Sequence, residues 1–212
     1  MSKSKKRRRR GRRLSLIVTA AVLALALLGL GLWIALDRAP GTVMRTYPME
    51  YESLIRIYSE IYGIPPAYTA AVILAESAYD PEAVSSANAQ GLMQLLPPTA
   101  EWIAERLGDV YREGSLFDPE TNIHYGCWYL GFLMKRYNGD MRCASSAYHQ
   151  GQGTVDKWLS DPRYSPDGAT LAVIPSNTTD TYVQRVLKYY EKYAEKYAAA
   201  EPAVMSHTGA VL

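Results

Sequence analysis

Apolar and polar residues recur along this chain at helical spacing, and no stretch carries the strong two-residue alternation of a strand. Tyr51, Leu54, Ile55, Tyr58, Ile61 and Tyr62 form one stripe, which predicts an amphipathic helix stopped by Gly63. Pro65 and Pro66 suit the first turn of a second helix, expected to run to about Ala78. That helix is apolar nearly all round, which predicts a place in the middle of the core. Asp80-Pro81 should stop it, and the Ser-, Ala- and Asn-rich segment to Gln90 reads as loop or short turns. Pro97-Pro98 opens a helix ending at Gly108. Asp118-Pro119 starts another, with Asp as N-cap and Pro at the first helical position. Its stripe is Ile123, Cys127, Leu130, Met134 and Tyr137. A turn at Tyr137-Asn138-Gly139-Asp140 leads into a helix over Met141–Tyr148, and Thr154 to Leu159 reads as a short helix. Residues 160–181, with three prolines, read as a long loop. A final helix is expected from about Tyr182 to Ala199, with Val183, Val186, Leu187, Tyr190, Ala194 and Tyr197 inward. The fold class is all-α.

The N-terminal part has a different pattern. Leu14 to Leu36 is a run of 23 residues without a charge. As a helix it spans roughly 34 Å, enough to cross a bilayer. Nine Lys or Arg fall within residues 3–13 and favour a cytoplasmic N-terminus. A secretory signal peptide is the rival, but this run exceeds a normal h-region, so an uncleaved single-span anchor is expected. The predicted organisation is a basic tail over 1–13, a transmembrane anchor over 14–36 and a linker over 37–47. A single helical domain of about 155 residues then covers 48–200, and a frayed tail 201–212. The domain would face the outside of the cytoplasmic membrane.

The overall charge of +2 hides two opposed parts. Without the nine basic residues of the tail, 14 Lys and Arg face 21 Asp and Glu, a balance of −7. That argues against nucleic acid as a partner of the domain. Cys127 and Cys143 sit on helices of a predicted hairpin, on the order of 12 Å apart along the axis, too far for a disulfide. Both read as buried apolar thiols. Two Cys and three scattered His indicate no metal site.

Glu76 is the candidate for chemistry. It is the only ionisable Asp, Glu, Lys, Arg or His in the run from Ile64 to Tyr79, near the negative end of its helix. Burial and the helix end both favour its protonated form, as a general acid requires. The bland alternative is a helix-end glutamate turned to solvent.

Further motifs follow in order: Glu76-Ser77, Ser85, Gly91-Leu92-Met93-Gln94, Ala147-Tyr148 with Gly151, and Tyr182-Val183. This series resembles the catalytic domain of soluble lytic transglycosylases, related to goose-type lysozyme, over roughly Tyr51 to Tyr197. The resemblance implies a lysozyme-like helical fold and peptidoglycan glycan strands as substrate. It makes Glu76 the single acid/base and Ser77 a support of the local turn. Ser85 becomes a sugar contact, and Met93 and Gln94 line the cleft. Tyr148 becomes cleft wall, and Tyr182 a tyrosine whose hydroxyl faces the glutamate. No cofactor is implied. A lone carboxylate suffices because the muramic acetamido group can stabilise the charge developing at C1.

The family usually has Asn-Ala where this chain has His149-Gln150. His149 either supplies the hydrogen bond of that Asn, or tunes Glu76 or contacts the glycan, since imidazole titrates near neutral pH. Hydrolysis on the same scaffold, and a non-catalytic glycan-binding scaffold, are the competing functions. Most of the 17 tyrosines are assigned to packing.

Overall fold

In a computed structural model of the chain, residues 47–200 are described. The expectations for the basic tail, the 14–36 span, residues 37–46 of the linker and the 201–212 tail lie outside them. Among the described residues, seven α-helices surround one 3-10 turn, and β structure is limited to isolated bridges, Val84 to Gln90 and Gln90 to Leu95. The helices are α1 (Glu52–Tyr62), α2 (Pro66–Glu76), α3 (Pro97–Leu107), α4 (Pro119–Arg136), α5 (Met141–Gln150), α6 (Gln152–Leu159) and α7 (Asn177–Ala200). None of them is long and apolar enough to cross a membrane.

The predicted punctuation explains most boundaries. Gly63 and Gly108 close α1 and α3 in the left-handed conformation that glycine adopts without steric cost. Pro66, Pro97 and Pro119 stand in first turns, where a missing N–H costs nothing. The Asp118 carboxylate accepts the Thr121 N–H at 2.9 Å, and Asp140 accepts that of Cys143 at 2.6 Å.

Four boundaries differ from expectation: α5 runs on to Gln150 rather than Tyr148, α6 begins at Gln152 rather than Thr154, and the end of α2 and the start of α7 also move. Helix α2 ends at Glu76 rather than near Ala78, because Ala78 and Tyr79 turn left-handed at φ 54° and 69°. Helix α7 begins at Asn177, five residues before Tyr182, so the connecting loop is 160–176. Ser176 caps it, its hydroxyl accepting the Thr179 N–H at 3.3 Å. The loop itself is held down by buried Leu171 and Ile174, and Arg142 Nε donates to the Leu171 carbonyl at 3.0 Å.

Helix α2 is the central element, as its apolar surface predicts. Every residue from Ala67 to Ile73 is buried, and α7 covers it most extensively. Around α2 lies the main core, which includes Ile55, Leu130, Leu133, Val183 and Val186. Ile61, assigned to the apolar stripe of α1, is 61 % exposed at the outer edge of that helix. A smaller core of Leu95, Ala100, Ile103, Ala104, Leu116 and Tyr125 sits beneath α3. Leu92 and Met93 belong to the first core and Leu95 to the second. The segment Gly91–Leu95 therefore joins the two, and Glu76 ends the helix beside it. Cys127 and Cys143 are free and buried. Burial pushes both thiols up to about 12, so neither is a nucleophile at neutral pH.

Candidate active site

Glu76 occupies the last position of α2, where the chain leaves the core. The residues after it are fixed by Ser77, whose hydroxyl donates to the Leu92 carbonyl at 2.8 Å and whose N–H donates to Ile73 at 3.0 Å. Ser77 thus ties the end of α2 to the Gly91–Leu95 segment, in keeping with a support role. Asp80, the nearest carboxylate in sequence, accepts the Glu82 N–H at 2.9 Å and closes its own turn.

The Glu76 carboxyl has one direct partner from a distant part of the chain. The Tyr182 hydroxyl donates to Glu76 Oε1 at 2.6 Å, across a separation of 106 residues. Burial pushes the Glu76 pKa up from its ordinary 4.5 to about 7; the Tyr182 hydrogen bond and the Arg185 charge oppose that rise. Desolvation wins. Tyr182 is itself 3 % exposed. Its phenol is held well above its ordinary range by burial first and by the Glu76 charge second, so it remains a donor at all working pH.

The Gly91–Leu95 segment is built on one buried side chain that the sequence pattern did not mark. Asn122, fully buried in the first turns of α4, accepts the Met93 N–H at 2.7 Å through Oδ1. Its Nδ2 donates to Gln90 O at 2.9 Å and to Leu116 O at 2.8 Å. Gly91 packs directly against this staple at φ 73°: an added Cβ would lie 2.1 Å from Leu116 O and 2.3 Å from Asn122 Nδ2. Glycine is required there twice, for conformation and for space.

The remaining predicted residues fall into three situations. Gln94, left-handed at φ 47°, spends its amide on the carbonyls of Ala83 at 3.0 Å and Gly91 at 2.9 Å. The Ser85 hydroxyl accepts the Ala89 N–H at 3.0 Å, which leaves its proton available to a ligand. Met93 differs from expectation: its side chain is fully buried with Sδ against Gly126, where an added Cβ would meet it at 2.2 Å. No exposed face of that side chain lines a cleft. What Met93 contributes is its carbonyl, which accepts the Tyr148 hydroxyl at 2.7 Å.

Tyr148 is half-buried at the end of α5, close enough to Glu76 for that charge to raise its pKa after burial has done so. His149 is exposed and stacks on the Tyr182 ring, centroids 4.6 Å apart at 30°. Its Nδ1 lies 3.2 Å from the Thr179 hydroxyl. That hydroxyl also donates to Gln150 Oε1 at 3.0 Å. Partial desolvation of the ring and the Arg185 charge lower the His149 pKa, which keeps the ring neutral at neutral pH. Beside this stack opens a cavity of about 350 Å³, lined by His149, Asn177, Thr178, Thr181, Tyr182 and Arg185. Asn122, Thr179 and Arg185 are the residues of the site that periodicity and motifs missed. Among the described residues, no three His, Cys, Asp or Glu side chains converge as metal ligands.

An all-helical domain with a buried carboxyl, its pKa raised to about 7, at the end of its central helix fits the lysozyme-like class. The chain belongs to the Transglycosylase SLT domain family, which it matches over residues 53–169. It is 33 % identical over 165 residues to the soluble lytic murein transglycosylase of Escherichia coli K12, covering 76 % of this chain and 25 % of that protein. It is 32 % identical over 166 residues to the membrane-bound lytic murein transglycosylase C of Actinobacillus pleuropneumoniae, covering 68 % and 46 %. Its structure is similar to that of an inactive mutant of the lytic transglycosylase Slt from Pseudomonas aeruginosa. The TM-score is 0.67 at 30 % identity, over 80 % of this chain and 28 % of that one. The chain thus spans about a quarter of the length of the first of these relatives.

Proposed function

We propose that the chain is a peptidoglycan lytic transglycosylase. It cleaves the β-1,4 bond between N-acetylmuramic acid and N-acetylglucosamine and leaves a 1,6-anhydromuramic end. The observation that carries this reading is the Glu76–Tyr182 pair: a carboxyl raised to about 7 and held at 2.6 Å by a phenol that stays protonated. Protonated Glu76 donates to the glycosidic oxygen as the C1–O bond breaks. The muramic acetamido carbonyl supports the charge at C1, in place of a second protein carboxylate. Ionised Glu76 then takes the proton of the C6 hydroxyl, whose oxygen closes on C1. The proton returns to where it began, and neither water nor metal is consumed.

In this reading Tyr182 holds the Glu76 carboxyl in one orientation and stabilises its charge between the two steps. The Ser85 proton, the Gln94 turn and the Tyr148 ring form the glycan-facing surround, and Met93 acts through its backbone. Mass spectrometry of peptidoglycan digested by the chain is expected to show anhydro ends. Reducing muramic ends would overturn the lyase in favour of hydrolysis.

The organisation proposed around this domain is the one the sequence suggests. A basic tail over 1–13 stays in the cytoplasm, residues 14–36 anchor the chain in the cytoplasmic membrane, and residues 37–47 link them to the catalytic domain over 48–200. Residues 201–212 form a tail. The relative named as membrane-bound supports membrane association.

His149 acts on Glu76 through Tyr182, because its contacts are with the Tyr182 ring and Thr179. Replacing His149 with Asn removes the stack and loosens the hydroxyl that lowers the Glu76 pKa. The expected result is an alkaline limb of the pH–rate profile moved to higher pH. An unchanged profile would reduce His149 to a hydrogen-bonding partner of Thr179.

A further inference from the structure

Between α3, α4 and α6 the surface holds a second cavity, of about 480 Å³. The side chains that matter in its wall are Trp102, Trp128, Phe132, Arg136, Gln152 and Asp156. None of these was assigned a part in the reaction above. Trp128 and Phe132 stack almost parallel, at 5.6 Å and 3°, and Trp102 stands edge-on to both at 5.2 and 5.4 Å. All three are only half-buried, so the cluster presents aromatic surface to the opening. Along one edge, Arg136 Nη2 bonds Asp156 Oδ2 at 2.6 Å, and the Tyr137 hydroxyl reaches Asp156 Oδ1 at 3.1 Å. Arg106 lies over the Trp102 ring at 5.5 Å and makes no ion pair among the described residues.

The second observation is an unpaired acceptor. Gln152 Oε1 is shielded from solvent and has no hydrogen-bond partner. Folded proteins rarely keep such an atom, since its desolvation goes uncompensated. Gln152 itself lines this cavity, and rotation about its last side-chain bond turns the unpaired acceptor toward the opening.

We infer that the cavity between α3, α4 and α6 is a second carbohydrate site, an outlying subsite for an N-acetylhexosamine unit of the glycan strand. The inference rests on the proposed function for the identity of the strand. Aromatic surface suits the C–H face of a pyranose ring. The Arg136–Asp156 fork retains lone pairs and N–H groups for neighbouring hydroxyls, and an acetamido N–H is the donor that Gln152 lacks. Ring contacts run from this wall toward the Glu76 side of the domain: the Tyr129 ring lies 6.3 Å from those of Trp102 and Phe132 and 5.4 Å from that of Tyr148.

The test uses the full chain carrying Glu76→Gln to stop turnover, titrated calorimetrically with chitohexaose. Adding Gln152→Leu is expected to weaken binding roughly threefold to tenfold, the worth of one net hydrogen bond. The melting temperature should hold or rise, because an unpaired carbonyl is removed. Equal affinity in the two proteins overturns the subsite. So does a stem tripeptide that binds the Glu76→Gln chain in a Gln152-dependent way when chitohexaose does not. If the wild-type chain cleaves nothing yet chitohexaose binding still depends on Gln152, the proposed reaction falls and the carbohydrate site stands. If the wild-type chain cleaves peptidoglycan and binding ignores Gln152, the reverse holds.

Discussion

Glu76→Gln is expected to cost the chain at least roughly 10³-fold in kcat, within the range for a positioned acid–base group, while making the folded domain more stable at pH 8. The second half follows from the raised pKa. Folded Glu76 titrates near 7 and an ordinary glutamate at 4.5. Between those values the folded chain holds a proton that the unfolded chain has lost. The contribution of Glu76 to stability is therefore fully present below 4.5, falls as pH rises through 7, and stays at its low value above that. A separation of that size corresponds to about 3 kcal/mol. Glutamine cannot ionise and its carbonyl still accepts the Tyr182 hydroxyl, so the variant escapes the loss. Its melting temperature should exceed that of the wild type by roughly 5–10 °C at pH 8 and match it near pH 4. Thermal melts at the two pH values check this. A variant whose melting temperature matches that of the wild type at both pH values would mean that Glu76 is not held in its protonated form by the fold.

The trade this implies, stability given up where chemistry is done, was legible in the sequence at one end only. A lone acid in an apolar run announces a desolvated carboxyl, and α2 was readable because two prolines open it and its surface is apolar on every side. The end of α2 was misplaced because left-handed Ala78 and Tyr79 leave no compositional mark. The start of α7 was missed for a related reason. Asn177-Thr178-Thr179-Asp180 has the composition of a loop, yet Thr179 is fully buried and bonded to His149, Gln150 and Ser176. Tertiary contacts override the local preference there. Tyr182 could be paired with Glu76 only through the resemblance of its motif, since no periodicity connects residues 106 positions apart. Met93 shows the limit of that resemblance: the motif marks the segment, and the fold decides that its carbonyl, not its thioether, is what Tyr148 meets.

Asn122 is where the largest stability loss outside the apolar core is expected. It sits early in α4, where a polar residue attracts no notice, and it satisfies three backbone groups at once. Asn122→Leu keeps the branched shape and strands the Met93 N–H and the Leu116 carbonyl without partners; Gln90 O retains the Leu95 N–H at 3.1 Å. Two buried, unpaired backbone groups cost about 2–5 kcal/mol, or a fall of roughly 5–15 °C in melting temperature. Activity should fall further than stability accounts for, because the stapled segment supplies the carbonyl of Leu92 to Ser77 and that of Met93 to Tyr148. Asn122→Asp separates the two halves of the staple. It retains an acceptor for the Met93 N–H but sets its second carboxyl oxygen against the Gln90 and Leu116 carbonyls, so it should melt below the wild type, and by more at a pH where the buried carboxyl is ionised. If Asn122→Leu melts with the wild type and turns over peptidoglycan at the same rate, the segment beside Glu76 is held by Gly91 packing and the Gln94 bonds alone.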